Sequence, residues 1–102
     1  MAKLVVLYGA PKDAAAFDAH YFQKHVPIAN TIPGLRGYEV SDGPVATPGG
    51  PAPYHLIATL TFDSVAAVQA AFASPQGQAA AADVATFATG GVDMLIFETK
   101  EV

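Results

Sequence analysis

An uninterrupted apolar run stands near each end of the chain, Leu4-Val5-Val6-Leu7 and Met94-Leu95-Ile96-Phe97. A β-strand points successive side chains to opposite faces, so each run, as a strand, carries large apolar groups on both sides. Removing one such side chain from water is worth roughly 1.5–3 kcal/mol. Any sheet built on these two strands therefore needs cover on both faces.

Between them the pattern alternates. Lys3 to Tyr8 reads as the first strand, broken at Gly9-Ala10-Pro11. Asp13 is an N-cap for a helix running to about His25 or Val26, with Phe17, Tyr21, Phe22 and Val26 as its aromatic and apolar seam. Pro27 removes a backbone donor and pushes Val26 away from helical geometry, so the helix is expected to end or kink just after His25. Leu35 to Ser41 is a second strand, weakened by Gly37. Asp42 to Pro53 has seven Gly or Pro among twelve residues and reads as a long surface loop with no packing signal. Tyr54 to Phe62 is the clearest strand, because Tyr54, Leu56, Ala58, Leu60 and Phe62 alternate with His55, Ile57, Thr59 and Thr61. Asp63-Ser64 caps a second helix with a Val65, Val68, Phe72 stripe. Ser74-Pro75 restarts it into the Ala-rich run Ala79 to Ala88, and Gly90-Gly91 stops it before the last strand, Val92 to Glu98.

The order β-α-β-β-α-β predicts one α+β domain over residues 1–102, two β-α-β halves sharing a four-stranded antiparallel sheet. Right-handed crossovers place both helices on one face. The other face lies bare, and the expected cover is a second copy packed sheet to sheet, giving a two-fold homodimer. A cavity lined by aliphatic and aromatic groups is expected between or beside the layers. Leu56, Ala58 and Leu60 suit the helix side. His55, Ile57, Thr59 and Thr61 would then face the opposite way, with His55 lining the cavity from the sheet.

A 52% hydrophobic and 14% charged composition argues in the same direction, since it is too apolar for a lone solvated domain of this length. The net charge is −4, and Lys3, Lys12, Lys24, Arg36 and Lys100 are scattered, so no basic stripe meets a nucleic acid. The absence of cysteine excludes a disulfide framework and a thiolate nucleophile, and fits a cytoplasmic protein. The apolar N-terminal run is too short for a signal peptide, and no stretch reaches membrane-spanning length.

His25 is the main functional candidate. Asp18, Tyr21 and His25, spaced three and then four apart, share a helical face, and a ring at a helix end would be held in its charged form by the macrodipole. It acts either as an acid/base on a ligand or as a cap on free carbonyls. Tyr21 is either a partner of His25 in the pocket or core packing; Asp18 either orients a donor or is solvated or arginine-paired. Asp83, among alanines, is a structural tether or a site carboxylate, with Arg36, His25 or backbone donors near Pro33-Gly34 as candidate partners. The expected catalytic residues are His25 and Tyr21, and the expected ligand contacts are Tyr8, Phe22, His55, Ile57, Asp83 and Phe87. His20 falls on a different helical side, near Lys24, and reads as surface. The histidines share no metal-ligand spacing, and neither a phosphate cradle nor a nucleophile elbow is present, so no metal or cofactor is expected.

Phe17-Asp18-x-x-Tyr21-x-x-x-His25-x-Pro27, Pro33-Gly34-Leu35-Arg36-x-Tyr38, Ser74-Pro75-x-Gly77-Gln78 and Asp83 to Gly91 together resemble the EthD family of the dimeric α+β-barrel superfamily. The resemblance implies a ferredoxin-like homodimer, a link to bacterial degradation of ethyl tert-butyl ether, and an oxygenase system as a partner. Relatives in the superfamily include cofactor-free monooxygenases, isomerases, cyclases and dehydratases acting on small hydrophobic compounds. Distant relatives bind haem, which no residue here selects. Two functions follow as expectations: a cofactor-independent acid/base enzyme using His25, or a non-catalytic ligand-binding or accessory dimer.

Overall fold

The computed structural model describes residues 1–102. Its main sheet pairs β1 (Ala2–Gly9), β2 (Gly37–Val40), β5 (Tyr54–Phe62) and β6 (Val92–Glu98) in the order β2-β5-β1-β6, antiparallel throughout. This is the ferredoxin-like arrangement. The loop expected over 42–53 is partly ordered. Ala46–Thr47 (β3) pairs with Gly50–Pro51 (β4), and Thr47 Oγ1 donates to the Gly50 carbonyl at 2.9 Å.

Alternation sets the layers. Leu4, Val6 and Tyr8 of β1 and Leu56, Ala58, Leu60 and Phe62 of β5 point into the core beneath the helices. Their neighbours Val5, Leu7, Ile57, Thr59 and Thr61 face the open side and are half-buried. The β6 edge adds more bare apolar surface than one open face would, because the helices do not cover it. Met94, Leu95, Ile96 and Phe97 are all 43–53% exposed, on both faces.

The alternation fails at one position. Tyr8 pairs with Leu56 but Gly9 pairs with Tyr54, so β5 carries an extra residue, His55. Such a bulge re-aims its side chain. His55 does not face the open side with Ile57, as expected; its ring packs edge-on against Phe17 at 4.9 Å, and its Nε2 lies 2.8 Å from Asp18 Oδ1.

The first helical stretch also departs from expectation. α1 (Ala14–His20) opens on Asp13, whose carboxylate accepts from the Ala16 amide at 3.0 Å. The chain then forms one π-turn, Tyr21–His25, and continues as α2 (Val26–Ala29). Pro27 does not end the helix after His25. Val26 stays helical (φ −58, ψ −47), and its amide reaches back five residues to the Tyr21 carbonyl. Widening one turn frees the carbonyls that a proline would otherwise strike or leave unpaired.

α3 (Val65–Ala73) and α4 (Pro75–Phe87) meet at Ser74, which is extended (ψ 158) and caps α4 by accepting from the Gly77 amide at 3.1 Å. The junction is tight. A Cβ on Gly77 would lie 2.0 Å from the Ala71 carbonyl oxygen, a backbone atom that cannot swing away. Gly77→Ala is expected to cost about 1–3 kcal/mol despite alanine's better helix propensity, read as a lower urea midpoint at unchanged slope.

Candidate functional site

The helical layer and the core face of the sheet enclose a cavity of about 30 Å3 whose walls are aliphatic and aromatic, among them Leu4, Val6, Leu60 and Val84. Four polar side chains break that lining: Tyr8, Tyr21, His25 and Tyr38. Tyr8 comes from the middle of the sheet, Tyr21 and His25 from the π-turn, and Tyr38 from β2.

Tyr21 and Tyr38 satisfy each other, hydroxyl to hydroxyl at 2.5 Å. His25, only 6% exposed, points its Nδ1 away from the cavity to Asp83 Oδ2 at 2.9 Å. An ionised carboxylate can only accept, so Nδ1 carries the proton and Nε2 is left with a free lone pair. Neither His25 Nε2 nor the Tyr8 hydroxyl has a protein partner, yet no buried side-chain polar atom is stranded. Both atoms therefore keep some accessible surface, on side chains that line the cavity.

Electrostatics fix the resting charges. Burial lowers the His25 pKa below 6.5, outweighing the attraction of Asp83, so the ring rests neutral near pH 7. The macrodipole argument for a charged ring fails, because His25 sits inside a continuing helix rather than at its end. Burial tends to raise the Asp83 carboxyl, but its hydrogen bonds from His25 and His20 prevail and hold it below the ordinary carboxylate range. Burial, with neighbouring tyrosines adding to it, pushes Tyr8 and Tyr21 far up, and burial raises Tyr38. All remain protonated phenols. The arrangement thus presents one acceptor of base character and one neutral O–H donor in dry surroundings.

Of the eight expected site residues, Tyr8, Tyr21 and His25 line this cavity. Asp83 stands behind His25. Phe87 is a buried wedge, its ring 4.9 Å from His25 and 5.1 Å from His20. Phe22 is 50% exposed and borders, with His55 and Asp18, a separate surface cleft beside the β3–β4 hairpin. Ile57 lies on the open sheet face. Arg36 pairs not with Asp83 but with Asp63, at 3.0 Å. Asp18 is paired with His55 rather than with an arginine or solvent alone.

Sequence reasoning missed two residues. Tyr38 carried a signal, its place after Pro33-Gly34-Leu35-Arg36, but none for its contact with Tyr21. His20 lies five positions before His25, about 140° round a regular α-helix, a spacing that predicts a surface ring. The π-turn removes that separation, and His20 Nε2 reaches Asp83 Oδ1 at 2.9 Å and Oδ2 at 3.0 Å. No His, Asp or Glu side chains converge as a metal shell.

The model of the EthD domain matches residues 10–91. An uncharacterized 11.0 kDa protein of the thcB-thcC intergenic region of Rhodococcus erythropolis is 43% identical over all of this chain and 98% of its own length. Among solved structures, an EthD family protein from Bacillus halodurans is 35% identical, with a TM-score of 0.89 over 98% of this chain and 99% of that one. A dimeric ferredoxin-like protein of unknown function from Thermobifida fusca shares the fold at 15% identity and a TM-score of 0.71, covering 96% and 90% of the two chains.

Stability should follow His25. Its native pKa is depressed below 6.5, so the unfolded chain binds this proton first as the medium is acidified. Its contribution is whole above 6.5 and is lost as pH falls below that value towards the native one. Over this window the unfolding free energy should drop by up to about 1.4 kcal/mol per pH unit in the wild type. The His25→Gln variant should show a flatter profile in urea titrations.

Proposed function

The chain belongs to the EthD family, and on that footing we propose that it binds a small, largely apolar, oxygen-bearing molecule and moves a proton on it without a cofactor. The observation that carries this reading is the pair of unpartnered polar atoms, His25 Nε2 and the Tyr8 hydroxyl, in an otherwise apolar cavity.

The chemistry follows from their roles. The neutral His25 takes a proton at Nε2 from a C–H or O–H of the ligand, and the bonding pair stays on the ligand. Charge that gathers on a ligand oxygen is met by the Tyr8 O–H. Asp83, accepting from Nδ1, stabilises the imidazolium and holds the ring in place. Returning the proton to a different atom completes an isomerisation, cyclisation or dehydration. Reaction of the deprotonated ligand with dioxygen is the oxidative variant. Apolar walls keep water from competing, and Tyr21 fixes the far side of the ring at 5.2 Å between centroids.

The second reading is a ligand-holding or accessory dimer that serves a partner oxygenase. Met94 and Ile96, 46% and 48% exposed on the helix-side face of β6, favour it as apolar surface left for a partner. The cavity volume does not separate the readings, since about 30 Å3 holds a water or two, whereas drug-sized ligands occupy about 300–1,000 Å3. Either function requires the cavity to widen; its exposed lining includes Met94, an unbranched and adaptable side chain at the sheet edge.

In both readings two copies cover the open faces of their sheets. Val5, Leu7, Ile57, Leu95 and Phe97 form a connected apolar patch there, and a patch of that kind associates in water.

A thermal-shift panel of small apolar alcohols, ketones, ethers and phenols, followed by turnover assays on each hit, separates the readings. Catalysis predicts that His25→Ala loses at least about tenfold in turnover and Tyr8→Phe about 10–100-fold, with binding and fold retained. Binding without turnover across the panel supports the accessory role. Sedimentation should show a dimer for the wild type and a single-chain species for Leu95→Glu.

A further inference from the structure

The least expected contact in the molecule is the second imidazole on Asp83. His20 and His25 flank one carboxylate from the same helical stretch, and the Phe87 ring lies against both. Asp83 Oδ2 accepts from His25 Nδ1 at 2.9 Å. The His20 Nε2–H is shared between both carboxylate oxygens, at 2.9 and 3.0 Å. Thr86, one turn on, donates its hydroxyl to the Asp83 carbonyl at 2.6 Å and is 3.4 Å from Oδ1.

A carboxylate held by one imidazole alone can rotate about its terminal bond, and its partner ring can then flip or change tautomer. Here the His20 N–H spans both oxygens and fixes the carboxylate plane, and the ring of His20 is itself fixed by stacking on Phe87 at 5.1 Å and 30°. From this geometry we propose that His20 is a positioning residue: acting through Asp83, it keeps the His25 proton on Nδ1 and the lone pair of Nε2 on the cavity. His20 does not touch the cavity, and it transfers no proton in this role. The inference deepens the reading of His25 as the base and rests on it for its functional meaning. The geometry it predicts is measurable without any substrate.

The test is the tautomer of each histidine, read from long-range 1H–15N correlations of the folded, full-length protein. In the wild type near pH 7.5, His25 should be the Nδ1–H tautomer, and His20 should carry a proton on Nε2. His20→Phe keeps an aromatic ring against Phe87 but removes the donor, and should raise the minor Nε2–H population of His25 several-fold. His20→Gln returns a donor amide to Asp83 and should restore the wild-type balance at least in part. An unchanged His25 tautomer in folded His20→Phe overturns the proposal. Should that variant not fold, the wild-type spectrum still decides, because a His20 found with its only proton on Nδ1 could not donate to Asp83 and would equally overturn it. Loss of turnover in His25→Ala concerns the base and leaves this result untouched. A His25 that is inert in catalysis but shifts tautomer in His20→Phe would refute the acid/base reading while sustaining the positioning role.

Discussion

A carboxylate drawn away from water is costly unless donors replace its hydration, and Asp83 is where this chain meets that demand. Two imidazoles supply the donors, and the ring on the cavity side is thereby forced to turn its other nitrogen towards the apolar space. The functional polarity of the site follows from this bond. Without an anion behind it, His25 would have no preferred tautomer, and its free nitrogen would be as apt to donate as to accept. With it, burial can keep the ring uncharged while its acceptor stays aimed.

The backbone makes the contact reachable. A regular helix would carry His20 and His25 to well-separated faces, and Pro27 would interrupt it one turn too early. One turn closed five residues apart resolves both problems, keeping Val26 and Pro27 in the helix and bringing the imidazoles round one carboxylate. Wide turns of this sort recur at functional sites because they re-aim side chains that the regular spacing would misplace. The bulge at His55 does the same in the sheet, carrying that ring from the open face to Phe17 and Asp18.

These two irregularities also mark the limit of what the sequence discloses. Strand order, the capping at Asp13, Ser64 and Ser74 and the bare apolar face follow from alternation, capping chemistry and the handedness of crossovers, all local or nearly local signals. A lone carboxylate among alanines calls for a partner, and the sequence leaves His25 as one of three candidates, beside Arg36 and backbone donors near Pro33-Gly34; only the fold selects it. His20 could not be, since its position depends on a single hydrogen bond shifting from four to five residues, which no residue type announces. Tyr38 escaped for a different reason: its partner, Tyr21, lies on another layer, and only tertiary packing sets the two hydroxyls against each other.

The cavity's other wall has a distinct character. Ala80 and Ala81 of α4 contribute only methyl groups to it, while every chemically active side chain enters from the sheet or from the first helical stretch. Part of the cavity's size is thus set by side chains without chemistry, on the same helix that holds His25 through Asp83. Drift at these alanines can reshape the chamber one carbon at a time while the His25–Asp83 contact stays in place, so a lineage built on this scaffold can vary the volume of the space beside a fixed imidazole.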